Sequence, residues 1–246
     1  MCFHLEGNLD VSSEIGVILP TYCEAQNIES LINEVESLHL DVSILVIDDS
    51  SPDKTAEIVR GLQRKYNNIL LLVRPEKHGL GSAIADGFKV FLSLKNSPKY
   101  IVTMDADYSH NPRDIPRLVS NMQCGYGLVI GSRYCQGGKI AGWPSVRKII
   151  SRCANAIAKS VVGKEVHDCT SGFRCYSTIF VETSISNLHS QTYEIQIETI
   201  KQASCKGFGI KEIPILFVNR KKGKSKLTMT EVKTFICYIF KTMIRL

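Results

Sequence analysis

The sequence predicts an α/β protein, with a mixed, mostly parallel, Rossmann-like sheet carrying helices on both faces. Three observations predict it. Short uninterrupted apolar runs alternate with helical periodicities along the first half of the chain. Strands covered on both faces read as such continuous runs. Three of the runs stop at polar clusters rich in carboxylates, and in open parallel sheets ligands bind beyond the carboxyl ends of the strands.

The chain has 246 residues, enough for one substantial core. It shows no internal repeat, low-complexity block or linker, so a single domain over 1–246 is expected. Nine cysteines are scattered without a CxxC pair, which argues against a disulfide framework and a zinc site and for a reducing compartment. The N-terminus lacks a signal-peptide pattern, and no apolar run approaches the roughly 18–20 residues that span a bilayer. A cytosolic or cytosol-facing protein without a transmembrane segment is expected. Net charge is +6, so the placement of the cations matters more than their sum.

Residues 1–14 are polar and unpatterned and are expected to be a loose terminus. Gly16–Leu19 is a buried strand halted by Pro20. Ile28, Leu31, Ile32, Val35 and Leu38 have helical spacing. Ser43–Ile47 is a second strand running into Asp48-Asp49-Ser50-Ser51-Pro52-Asp53. There Ser51 or Asp53 can cap a helix reaching about Tyr66. Ile69–Val73 is a third strand, and the loop Lys77–Ser82 opens a helix with Ala83, Ile84, Phe88 and Phe91. Later come a strand at Leu128–Tyr134, a helix from Val146 to Val162, a polar turn Asp168–Arg174, a helix Glu194–Ala203 and a strand Ile210–Val218. The long helix repeats Val146, Ile149, Ile150, Cys153, Ile157 and Val161 on one side, with Lys148, Arg152 and Lys159 on another.

The fourth strand, Tyr100–Thr103, drives into Met104-Asp105-Ala106-Asp107. In an extended segment Asp105 and Asp107 share a face, and two like charges that close need a cation between them. Alone, the segment reads either as a hard divalent-cation site facing a phosphate or as an Asp-rich turn capping the next helix. Three polar clusters on one sheet edge favour a nucleotide site.

Asn219–Lys226 places five cations in eight residues. It is either a solvated hairpin loop or a phosphate clamp whose glycine lets the backbone fold over a ligand. From Leu227 to Leu246 an apolar stripe recurs at helical spacing beside Lys233, Lys241 and Arg245. That amphipathic helix either packs on the core or lies on an anionic membrane. The cations form one loop and one helix face without a stacking platform, so no nucleic-acid partner is expected.

Pro20-Thr21-Tyr22-Cys23-Glu24 with Asn27-Ile28, Val46 to Thr55, and Met104 to His110 resemble the motifs of the family 2 glycosyltransferases. Gly131 to Tyr134, Trp143 with Arg147 and Ser151, Asp168 to Arg174, and Phe217 to Lys226 are similar to the dolichol- or polyprenol-phosphate mannose synthases within it. The resemblance runs from about Gly16 to the tail. It implies a GT-A fold, GDP-mannose as donor, Mg²⁺ or Mn²⁺, and dolichyl or polyprenyl phosphate as acceptor. It implies that Pro20, Tyr22, Glu24, Ile47 and Asp49 hold the nucleoside, and that Asp105, Ala106 and Asp107 hold the diphosphate and metal with Ser109 as third ligand. It implies that Arg133, Arg220 and Lys226 meet phosphate, with Asp105, Asp107, Arg133 and Arg220 as catalytic residues, and that Arg147 and Ser151 form the lipid-phosphate site. Cys23 stands where the family usually has Asn, Lys54 where it usually has Gly, and Ser109 where some members have Gln.

These residues would support inverting transfer of mannose to a lipid phosphate on the cytosolic face of a membrane, the endoplasmic reticulum in a eukaryote or the plasma membrane in a prokaryote. A membrane-binding surface or a small anchoring subunit would then be needed. A UDP-sugar hexosyltransferase acting on polyprenyl phosphate, or a silent nucleotide-binding subunit of a membrane complex, are the alternatives.

Overall fold

A computed structural model describes residues 4–162, 166–220 and Tyr238. Its main sheet has eight strands in the order β1-β4-β3-β2-β5-β8-β6-β9. These are β1 His4–Glu6, β2 Ile15–Thr21, β3 Val42–Asp48, β4 Ile69–Val73, β5 Tyr100–Thr103, β6 Leu128–Ser132, β8 Arg174–Ser177 and β9 Ile210–Pro214. The centre is parallel: β2 pairs with β3 and with β5, and β3 with β4. β1 runs antiparallel to β4, and β8 is antiparallel between β5 and β6. A small second sheet pairs β7 (Lys139–Ala141) with β10 (Leu216–Val218) in parallel.

Helices α1 (Ile28–Glu36), α2 (Thr55–Gln63) and α4 (Ile115–Met122) cover one face of the main sheet, and α3 (Leu80–Ser93), α6 (Thr178–Ser184) and α7 (Ile195–Cys205) the other. Strand alternation explains the two cores. Val17, Leu19, Ile44 and Val46 meet Leu31, Ile32 and Val59 on the first face. Ile18, Leu45 and Ile47 meet Ile84 and Phe88 on the second. At roughly 1.5–3 kcal/mol per fully buried aliphatic side chain, these paired layers fix the strand ends in space. Gly87 lets α3 approach the sheet, because a Cβ there would fall 2.8 Å from Ile18 Cδ1.

Two expectations are corrected. The terminus is not loose throughout: His4–Glu6 forms an edge strand on β4, held by its backbone rather than by an apolar pattern. The single strand expected over Ile210–Val218 is two, broken at Ile215 and shared between two sheets. Of the two readings of Asp105–Asp107, the helix cap does not form: the side chain of Asn111 caps the 3-10 turn that leads into α4.

Helix α5 (Ser145–Val162) forms where its periodicity puts it, but its apolar side faces outward. Val146, Ile149, Ile150 and Ile157 are 48–67% exposed, and the helix contains no acidic residue. Among the described residues no helix is long and apolar enough to cross a membrane. Lys221–Lys226 and the tail helix expected from Leu227 lie outside the described residues, apart from Tyr238.

Candidate active site

The carboxyl ends of β2, β3 and β5 open into one solvent-open cleft. Pro20, Tyr22, Glu24, Ile47, Asp49, Asp105, Ala106, Asp107 and Arg220 all line it. They come from four separated segments, and the parallel register brings them together: Thr21 pairs with Asp48, and Ile18 with Thr103.

Of the adjacent acids at the end of β3, only the second reaches the cleft. Asp48 is fully buried and accepts hydrogen bonds from Thr21 Oγ1 (3.0 Å), Ser51 N (2.9 Å) and Ser51 Oγ (2.6 Å), so it builds the loop. Asp49 is held by Arg74, whose Nε donates to Asp49 Oδ1 at 2.6 Å. Arg74 is itself fully buried and also donates to Ser82 Oγ, Asp86 Oδ2 and the Gly79 carbonyl. Burial pushes the Asp49 carboxyl up, against the pull of that guanidinium.

Asp105 and Asp107 differ in setting. Desolvation in the cleft raises the Asp105 carboxyl; the nearby His110 opposes this and the like charge of Asp107 adds to it. Burial also pushes Asp107 up, but Ser109 and Arg220 outweigh it and hold that carboxyl below the usual range. The Ser109 N–H donates to Asp107 Oδ1 at 2.9 Å, and Arg220 Nη2 lies 2.7 Å from Asp107 Oδ2. The Asp105 N–H donates to His110 Nδ1 at 3.2 Å, and that ring stacks on Phe173 at 5.1 Å between centroids. The two carboxylates are hard oxygen donors of the kind that hold Mg²⁺ or Mn²⁺.

Other expected residues sit beside the cleft. Ser109 borders a second cavity behind Asp107, lined also by Asn27 and Asn219. Arg133, expected to meet phosphate, is committed elsewhere: its Nε and Nη2 donate to Asp168 Oδ2 and Oδ1, both at 2.7 Å, and Nη2 also reaches Thr170 Oγ1. Both partners are buried. Burial pushes Asp168 up, but Arg133 overrides it and depresses the carboxyl.

On α5, Arg147 stacks over Trp143 (4.2 Å) and donates to Asn219 Oδ1 (3.1 Å), while Ser151 Oγ shares a 2.8 Å hydrogen bond with Tyr134 OH. Burial, then the charges of Arg220 and Arg133, hold the Arg147 guanidinium below its ordinary value. Lys226 lies outside the described residues.

The sequence reading missed Arg74, Lys77 and Tyr193 as site residues, and gave Asp168 only as part of the Asp168–Arg174 motif. Lys77 and Tyr193 line the cleft, and Lys77 Nζ lies 5.2 Å over the Tyr22 ring. An arginine following directly on a buried strand was a usable signal for Arg74, since a cation there needs a carboxylate. Nothing local marks Lys77 or Tyr193.

The model of glycosyl transferase family 2 matches residues 16–183. The polyprenol monophosphomannose synthase of Mycolicibacterium smegmatis is 35% identical over 219 residues, covering 88% of this chain and 82% of that protein. The dolichol-phosphate mannosyltransferase of Pyrococcus furiosus is 33% identical over 234 residues, and the match takes in 94% of this chain and 64% of that longer protein. Among solved structures, the glucosyl-3-phosphoglycerate synthase of Mycobacterium tuberculosis, in complex with Mn²⁺, UDP and glucosyl-3-phosphoglycerate, superposes with a TM-score of 0.63 over 96% of this chain and 81% of that one. At 18% identity it speaks for the fold alone, which is GT-A. This chain belongs to glycosyltransferase family 2.

Proposed function

We propose that the protein transfers mannose from GDP-mannose to the phosphate of a dolichol or polyprenol, inverting the anomeric centre to give a β-linked mannosyl-phosphate lipid. One observation carries the reading furthest. Next to the carboxylate pair stands a cluster of guanidinium groups joined through adjacent residues: Arg220 on Asp107, and Asn219 on Arg147. Bringing two anions together requires such screening, and arginine is suited to phosphate by its planar fork.

Pro20, Tyr22, Glu24, Ile47 and Asp49 would hold the nucleoside, with Arg74 fixing Asp49. Asp105 and Asp107, with Ser109 beside them, would hold Mg²⁺ or Mn²⁺, which when bound supplies charge neutralisation for a departing diphosphate. Arg220, poised on Asp107, would turn to a phosphate oxygen, and Lys226 would join it. A lipid phosphate is ionised at neutral pH, so its oxygen attacks without a strong general base. Arg147 and Ser151, one helical turn apart, would orient that phosphate, and Arg133 would act by holding the Asp168 loop. The exposed aliphatic side of α5, with Lys148 and Arg152 and no acid, supports an approach to the acceptor from an anionic membrane surface. The cytosolic face, with or without an anchoring subunit, is the setting this implies.

Thermal unfolding with Mn²⁺ present tests the donor. GDP-mannose should raise Tm by an amount that grows with the logarithm of its concentration above Kd, while UDP-glucose should leave it unchanged. A larger shift with UDP-glucose would replace mannose by a UDP-linked hexose.

A further inference from the structure

Gln196, in the first turn of α7, is 1% exposed, and among the described residues neither its Oε1 nor its Nε2 has a hydrogen-bond partner. Buried polar side chains are ordinarily satisfied, and an apolar residue of similar length would fill the same volume without that penalty. The frame around it is rigid. The buried Arg174 guanidinium donates to the Gln196 carbonyl (2.6 Å), Thr199 Oγ1 (2.9 Å), and the carbonyls of Ser171 (2.7 Å) and Cys169 (3.0 Å). This ties the first turn of α7 to the 169–172 loop. Glu194 and Glu198 accept the N–H groups of the loop before the helix.

The side-chain amide lies close to Gly172, which also borders Asp105. A Cβ added at Gly172 would lie 3.3 Å from Asp105 Oδ1 and 3.7 Å from Gln196 Nε2, so the two groups border one small space left open by the glycine. Tyr193, whose carbonyl accepts the Gln196 N–H at 3.2 Å, lines the cleft on the same side. A neutral amide offers two donors and an acceptor in fixed positions, as a sugar hydroxyl requires. A site built to hydrogen-bond a hydroxyl discriminates strongly against a ligand lacking it.

We propose that Gln196 is a specificity-determining residue that reads a hydroxyl of the donor sugar beside Asp105, while contributing nothing to the nucleotide. The inference rests on the reading of the cleft as a nucleotide-sugar site, and it goes beyond that reading by assigning the sugar's contact to α7.

Calorimetric titration of the full chain with Mn²⁺ at saturation tests it, using GDP against GDP-mannose and UDP against UDP-glucose. The pair that wild type binds identifies the donor and tests the parent reading separately. Within that pair, Gln196→Met should leave the nucleotide affinity within twofold and weaken the nucleotide sugar at least tenfold, with Tm undiminished. Equal weakening of both ligands, or of neither, overturns the proposal. If Gln196→Met does not fold, Gln196→Asn is read by the same ratio.

Discussion

Lys54 and Cys23 both sit in the left-handed backbone region, at φ +68° and +58°. They are the two positions where this chain departs from the Gly and Asn usual in the family. The left-handed conformation costs an ordinary L-residue roughly 1–2 kcal/mol, and only Gly, or Asn more mildly, escapes it. Lys54 closes the loop that sets Asp53 against the start of α2, where the Thr55 N–H donates to Asp53 Oδ1 at 3.2 Å. Lys54→Gly should therefore raise unfolding stability by up to about 1 kcal/mol, part of the relief being lost to the freer unfolded chain. Urea unfolding at unchanged slope is the check, and a destabilised variant would refute the assignment of strain. At this scale the cleft residues on strand ends were legible, because they lie at the end of an apolar run or within five positions of it. At Arg133 the cation after the strand is paired within the chain, with Asp168, an anion that the strand itself does not announce.

Among the elements, the turn carrying Asp168 depends on that pair most. Ion pairs this deeply buried cost about 3–5 kcal/mol when one partner is removed, since a buried charge is left behind. Asp168→Asn keeps the shape and should lose a stability of that order at neutral pH. The pH dependence has a defined sign. The folded carboxyl is depressed below its unfolded value near 3.9, so its contribution is complete above that pH and fades as pH falls toward the folded value. The variant should unfold less steeply with acid than wild type; an acid limb parallel to that of wild type would mean Asp168 is already neutral in the fold. Elements with a clean period were readable, α1, α3 and α5 among them. β1 was not, because an edge strand of His4, Leu5 and Glu6 is specified by its partner β4 rather than by its own pattern. The break at Ile215 was hidden because both halves keep an apolar alternation while pairing with different strands.

In the whole molecule, a parallel sheet with a helical layer on each face delivers three carboxylate-bearing strand ends to one rim, and β8 and α7 close that rim from the far half of the chain. The first half of the site was legible because its residues follow local strand signals. Tyr193 and Gln196 were not, since their place is set by tertiary docking through Arg174 with no motif of their own. The outward apolar side of α5 is likewise invisible to periodicity, which gives a stripe but not what covers it. The central claim is that this cleft moves a mannosyl group from GDP to a lipid phosphate under the control of Asp105 and Asp107. Its most direct test is transfer of label from GDP-mannose to a polyprenyl phosphate in detergent, by wild type and by Asp107→Ala. Wild type should yield an alkali-stable, acid-labile mannosyl lipid in the presence of Mn²⁺, and Asp107→Ala should fall by at least about 10³-fold while keeping its fold. No lipid product from wild type, or an undiminished rate in the variant, would contradict the account.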